Sequence, residues 1–68
     1  MELVFEKKYR RGRIRRWHLG DNWFLTANNC RQSWTDWEVC HEDADSYSVQ
    51  RFTSCYKSKA LDFWRDNT

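Results

Sequence analysis

Tyr9-Arg10-Arg11-Gly12-Arg13-Ile14-Arg15-Arg16-Trp17-His18-Leu19-Gly20-Asp21-Asn22-Trp23-Phe24-Leu25-Thr26 is the stretch that decides the fold. The chain's only two glycines punctuate it. Arg10-Arg11-Gly12 offers a tight turn, and Gly20-Asp21-Asn22 has the residues that positive φ angles demand. Between them the chain alternates. Arg13, Arg15, Trp17 and Leu19 face one way and Ile14, Arg16 and His18 the other, which is the two-residue period of a strand. Upstream, segment 3–9 alternates as well and sets Leu3, Phe5, Lys7 and Tyr9 on one face. Downstream, Trp23-Phe24-Leu25-Thr26 resumes with strand-forming residues. Three strands, about 3–9, 13–19 and 23–27, follow in a meander.

The polar stretch from Ala27 to Ser33, with Asn28-Asn29 at its centre, reads as a longer loop. A fourth strand is predicted over 36–41, where Trp37, Val39 and His41 alternate with Glu38, Cys40 and Glu42. Asp43-Ala44-Asp45-Ser46 then turns the chain into a fifth strand over 47–53. After that the period changes. Thr53 or Ser54 can cap a helix by satisfying an orphaned backbone N–H. At about 100° per residue, Tyr56, Ala60, Phe63 and Trp64 share a face with Leu61 at its margin, while Ser58, Asp62 and Arg65 lie opposite. A helix over 55–66 is predicted. Strands first and one helix last give an α+β fold: an antiparallel sheet of four or five strands with the C-terminal helix packed on one face. Trp37 and Trp64 are assigned to the core, with Trp17, Trp23 and Trp34 left between core and surface.

Size and composition limit what such a chain can be. Its 68 residues and 8.5 kDa suit a single domain spanning residues 1–68. Twelve aromatic residues, five of them Trp, are too many for a disordered tail. The longest uncharged apolar run, Trp23-Phe24-Leu25, is far short of the ~20 residues of a membrane-spanning helix. The N-terminus carries acids and then bases in place of an apolar signal region, and three cysteines cannot all pair within one chain. These features predict a reduced, cytoplasmic protein without a membrane partner, complete as given. A chain this short buries only ~60% of its unfolded surface, so a monomer must lean on its aromatics and a homodimer is the other solution.

Charge is unevenly spread. The net charge is +2, yet residues 1–20 hold seven bases against two acids, and residues 21–68 hold five bases against eight acids. The seven are Lys7, Lys8, Arg10, Arg11, Arg13, Arg15 and Arg16. A hairpin of 3–9 with 13–19 gathers them at its tip and on both faces beside it. Such a ribbon can enter a major groove, and arginine is shaped to fork onto guanine or phosphate. The same residues would equally suit a protein with an acidic surface, or would keep an edge-prone hairpin soluble. Trp17 beside the basic run and Trp34 at the end of the polar loop add aromatic candidates for a partner or nucleic-acid contact. Cys30, Cys40, Cys55, His18 and His41 lack familiar zinc spacing, and adjacent Cys40 and His41 point to opposite faces of a strand. No cofactor is expected. No nucleophile–base–orienter arrangement is indicated, so the chain reads as a binding protein and not an enzyme.

Trp37-x-Val39, Arg51-Phe52-Thr53-Ser54 and Ala60-Leu61-x-Phe63 resemble the strand–hairpin–helix ending of several small bacterial and phage proteins. Within that group the chain resembles small phage-encoded inhibitors of host defence, including anti-CRISPR proteins, in size, architecture and lack of catalytic chemistry. It partly resembles the arm-type DNA-binding domains of tyrosine integrases, from which it departs by extra N-terminal strands that carry its bases. The first resemblance implies a non-enzymatic phage or mobile-element inhibitor that binds and blocks a host protein or nucleoprotein complex handling nucleic acid, in the host cytoplasm. The second implies a sheet that enters the major groove of DNA, and the charge of the hairpin itself supports the alternative of a sheet-based DNA- or RNA-binding module using residues 7–16.

Overall fold

The computed structural model describes residues 1–43, 45 and 48–68. Alternating residues build five strands, β1 (Glu2–Tyr9), β2 (Gly12–Gly20), β3 (Trp23–Asn28), β4 (Asp36–Glu42) and β5 (Ser48–Ser54), followed by the helix α1 (Lys57–Asp66). The strands lie in the order β1-β2-β3-β4-β5, each antiparallel to its neighbours. This is the α+β meander with a C-terminal helix.

Both glycine turns form as their chemistry dictates. Asp21 and Asn22 have φ of 50° and 66°, the pair of left-handed residues a two-residue type I′ hairpin needs. Gly12 closes the first turn at φ 130°, and a Cβ there would lie 2.4 Å from the carbonyl oxygen of Asn29. Only glycine fits that approach, which lets the β3–β4 loop tuck against the first hairpin.

One face of the sheet is covered by α1, which packs on β4 and β5. Trp23, Leu25, Val39 and Ala60 form the buried centre, flanked by Trp17, Leu19, Trp37, Phe52, Leu61, Phe63 and Trp64. The register explains the set: Trp17 lies opposite Leu25, Leu25 opposite Val39 and Val39 opposite Phe52, so one layer of side chains crosses four strands. Burying Leu25 and Val39 contributes ~1.5–3 kcal/mol each. Aromatic contacts lock helix to sheet, with the Phe52 and Phe63 rings 5.0 Å apart and nearly parallel and Trp23 meeting Phe63 edge-on at 6.4 Å.

Several boundaries differ from the sequence-based expectation. The helix begins at Lys57 and not at 55, because Thr53 and Ser54 pair with Glu38 and Trp37 in the β4–β5 ladder and cannot cap. Ser54 Oγ instead accepts from the Tyr56 N–H at 3.1 Å. Tyr56 occupies the N-cap position without a side-chain bond and is 64% exposed, so it does not join the buried face. Ala27 is buried in β3 and not part of the loop, since it faces Trp37 across the ladder. Trp23, left undecided from sequence, is the most buried tryptophan, while Trp37 and Trp64 are half-buried. In β1 the register shifts between Leu3 and Phe5, a bulge at Val4 that turns Leu3 to the Trp17 side and leaves Phe5, Lys7 and Tyr9 on the other. Tyr47 of the expected fifth strand lies outside the described residues.

Candidate functional site

In a meander, successive turns fall alternately at two ends of the sheet. Arg10–Arg11 and the β3–β4 loop therefore share one end. Asp21–Asn22 and the β4–β5 connection, with Asp43 and Asp45, share the other. Hydrogen bonds tie each end together: Arg31 N–H to Arg11 C=O at 2.7 Å and Asn29 N–H to Arg13 C=O at 3.2 Å at the first, Glu42 N–H to Asn22 C=O at 3.0 Å at the second. Asn29 Oδ1 also accepts from the Arg13 N–H at 2.9 Å. The nine residues of β2 hold the ends ~27 Å apart. The first holds Arg10, Arg11 and Arg31 against one acid, Asp36, whose carboxylate accepts from Gln32 and Trp34 within the loop, and the second is acidic.

At the basic end, Tyr9, Arg10, Arg11, Ile14, Cys30 and Arg31 line an open cleft of about 750 Å³. Arg31 is the third arginine of this cleft. It sits in the left-handed region at φ 61°, a conformation that costs a non-glycine residue ~1–2 kcal/mol, and nothing about Cys30-Arg31-Gln32 announces it. The loop holds Arg31 there: Cys30 N–H donates to Asn28 Oδ1 at 3.0 Å, and Gln32 Nε2 donates to Asn28 C=O and to Asp36 Oδ2. Among the described residues, Lys8, Arg10, Arg11 and Arg31 have no carboxylate within ion-pair distance.

The structure divides the remaining sequence candidates. Lys8 lies opposite Arg13 in the ladder, and Arg13 is 3.7 Å from Glu6. Lys7 Nζ stands 5.2 Å above the Tyr9 ring. Arg15 lies over Trp17 at 5.1 Å, and Trp17 stacks on Trp37 with centroids 6.1 Å apart. Lys57 covers Trp37 from the helix at 5.4 Å. Ala27 of β3, between these strands, is the small residue over which the two indoles meet. Arg16 on the opposite face is engaged with Glu42 at 2.7 Å. Trp34 stands in the β3–β4 loop at the basic end, 56% exposed, its Nε1 donating to Asp36 Oδ1 at 3.1 Å. Of the seven bases and two tryptophans singled out from sequence, the structure brings Lys8, Arg10, Arg11 and Trp34 to the end that holds Arg31, and pairs Arg16 with Glu42 on the open face.

Other chemistry is sparse. The three cysteines are free, with Cys40 buried, Cys30 half-buried and Cys55 exposed. Burial, and then the neighbouring Glu38 carboxylate, push the Cys40 thiol above its ordinary pKa. Among the described residues no three of His, Cys, Asp and Glu gather as metal ligands, and no helix is long and apolar enough to cross a membrane. The chain matches no protein-family model, no curated protein and no solved structure at a significant level. Fold and site together describe a small α+β protein with a basic end and an acidic end.

Proposed function

We propose that the protein is a non-enzymatic binding module that grips the phosphate backbone of nucleic acid with its basic end, through Lys8, Arg10, Arg11 and Arg31. The observation that carries this reading is the separation of charge. A polyanion would be repelled by Asp21, Glu42, Asp43 and Asp45 if they flanked the arginines. They lie ~27 Å away along the strands, well beyond the screening length of ~8–10 Å at physiological salt. Three arginine forks around one cleft can each take a phosphate oxygen pair, and neither sequence selectivity nor a catalytic group is required of them.

The host-complex reading keeps a place because Trp34 stands exposed at the same end, and Trp beside Arg is a composition of protein interfaces. The basic end limits its form. Channels that conduct nucleic acid are lined by cations and would repel these arginines, so the protein would dock on the nucleic acid that such a complex holds, or on an acidic patch of its surface.

Fluorescence anisotropy with labelled duplex and single strands, at several salt concentrations, tests the proposal. Binding is expected to be submicromolar near physiological salt, with log affinity falling steeply against log salt. Arg10→Ala, Arg11→Ala and Arg31→Ala should each flatten that slope by roughly one. Binding that disappears by physiological salt, or a triple variant that binds like the parent, would sink it.

A further inference from the structure

Strand β1 adds no residue to the core. All eight of its residues, Glu2 to Tyr9, are exposed, although it pairs with β2 along its whole length. Leu3, Val4 and Phe5 are 49%, 47% and 49% exposed, three successive apolar side chains at the sheet's outer border. Val4 and Phe5 form one wall of a shallow hollow on the open face, completed by Ile14, Arg16, Phe24 and Thr26. The outer edge of β1 has no strand beside it among the described residues. The whole chain exposes 4991 Å², against ~4,700 Å² for a typical folded monomer of this mass. A long unpaired edge with such an apolar stretch is a template for another strand.

We propose that the strand it takes is β1 of a second copy, antiparallel about a two-fold axis at Val4–Phe5, joining two sheets into one of ten strands. The charges of β1 are self-complementary only in that direction. Glu2 opens the strand and the bases, Lys7 and Lys8, close it. With the Val4 bulge counted as one position with Phe5, the two-fold sets Glu2 opposite Lys7 and Leu3 opposite Glu6. Each pair shares a face, as cross-strand neighbours must. The four side chains of Val4 and Phe5 meet on the axis and close the two hollows against each other. The antiparallel arrangement also lays the basic end of each protomer beside the acidic end of its partner, so the separated charges attract, and nucleic acid gripped by the basic end draws on the monomer. The opposite border, β5, offers no such match. Its single charge, Arg51, sits at the centre of Ser48–Ser54, and symmetric pairing there would oppose like charges. An isologous contact of this kind closes on itself and stops at two copies.

Sedimentation velocity without nucleic acid tests the dimer. The parent chain should shift from monomer to dimer as concentration rises through the micromolar range that a small interface supports. Glu2→Lys and Lys7→Glu should each weaken the dimer about tenfold, and Glu2→Lys combined with Lys7→Glu should restore it. Within one protomer the two side chains are five positions apart on one strand, so only a contact between copies can produce that rescue. Circular dichroism of each variant confirms that the fold is retained. A chain that stays monomeric up to roughly 200 μM, far above that range, overturns the proposal. So does a dimer indifferent to the single swaps or not restored by the double one.

Discussion

Arg16 of β2 reaches over Phe24 of β3 to Glu42 of β4, its Nη2 2.7 Å from Oε1 and its guanidinium carbon 4.1 Å from the Phe24 ring centroid. This side chain spans three strands on the face that α1 leaves open. Its Nε is buried without a hydrogen-bond partner, so the guanidinium relies on one carboxylate and one ring. Removing either end of the pair strands the other in partly buried surroundings. Glu42→Gln and Arg16→Ala should each cost about 1–2 kcal/mol, seen as a lower urea midpoint. Arg16→Ala should leave the salt slope of nucleic-acid binding unchanged, in contrast to Arg11→Ala.

Arg31 should separate stability from binding. Its left-handed backbone is strained, and glycine adopts that conformation freely. Arg31→Gly is expected to fold with unchanged stability or a gain of up to about 1 kcal/mol, while binding nucleic acid more weakly. A variant that lost both would show that Arg31 serves the loop and not a ligand.

The two glycines should differ when replaced. At Gly12 an added Cβ collides with the Asn29 carbonyl, and at Gly20, where φ is 117°, nothing lies within 4 Å. Gly20→Ala therefore costs only backbone strain, about 1 kcal/mol or somewhat more. Gly12→Ala must also push the β3–β4 loop off the hairpin, and thermal melting should show a loss at least twice as large.

Ala27→Leu places a branched side chain beneath the point where Trp17 and Trp37 meet. Overpacking of this kind costs ~1–3 kcal/mol. The near-ultraviolet circular dichroism of the stacked indoles should change with it, as it should in Trp17→Phe.

Cysteine chemistry offers a test that involves no ligand. Cys55 should react quickly with a thiol reagent, Cys30 more slowly, and Cys40 only on unfolding. Folded Cys40 ionises at higher pH than the unfolded thiol, so its contribution to stability is fully present below the ordinary thiol pKa of ~8.5 and is lost as pH rises through the folded value. A Cys40→Ser or Cys40→Ala chain should show less decline in stability in that alkaline window than the parent.

Much of the architecture was legible because local chemistry and tertiary packing agree. Gly20-Asp21-Asn22 demanded a left-handed turn and received one, and the alternation of Trp37, Val39 and His41 against Glu38, Cys40 and Glu42 survives unchanged in β4. The misses share one cause. Thr53 and Ser54 are good caps in isolation, but the β4–β5 ladder claims their backbones. The Val4 bulge arises from matching β1 to β2, a two-strand property that no alternation within 3–9 reveals. The site was half legible. Arg10 and Arg11 stand out in the sequence, but Arg31 joins them only because a glycine nineteen residues earlier has no Cβ to keep the loop away.

The alternation of turns that sends Arg10, Arg11 and Arg31 to one end of the sheet and Asp21, Asp43 and Asp45 to the other makes the single protomer a small electric dipole. In the field of a charged surface it experiences a torque before it touches anything. Near a polyanion the molecule rotates until the Arg10–Arg11 turn leads, so a larger share of encounters begins in the productive orientation. That gain belongs to the association rate and fades as salt is added. Reversing the charge of Asp43 or Asp45, at the end of the sheet away from the Arg10–Arg11 turn, should alter how fast the protein arrives more than how long it stays.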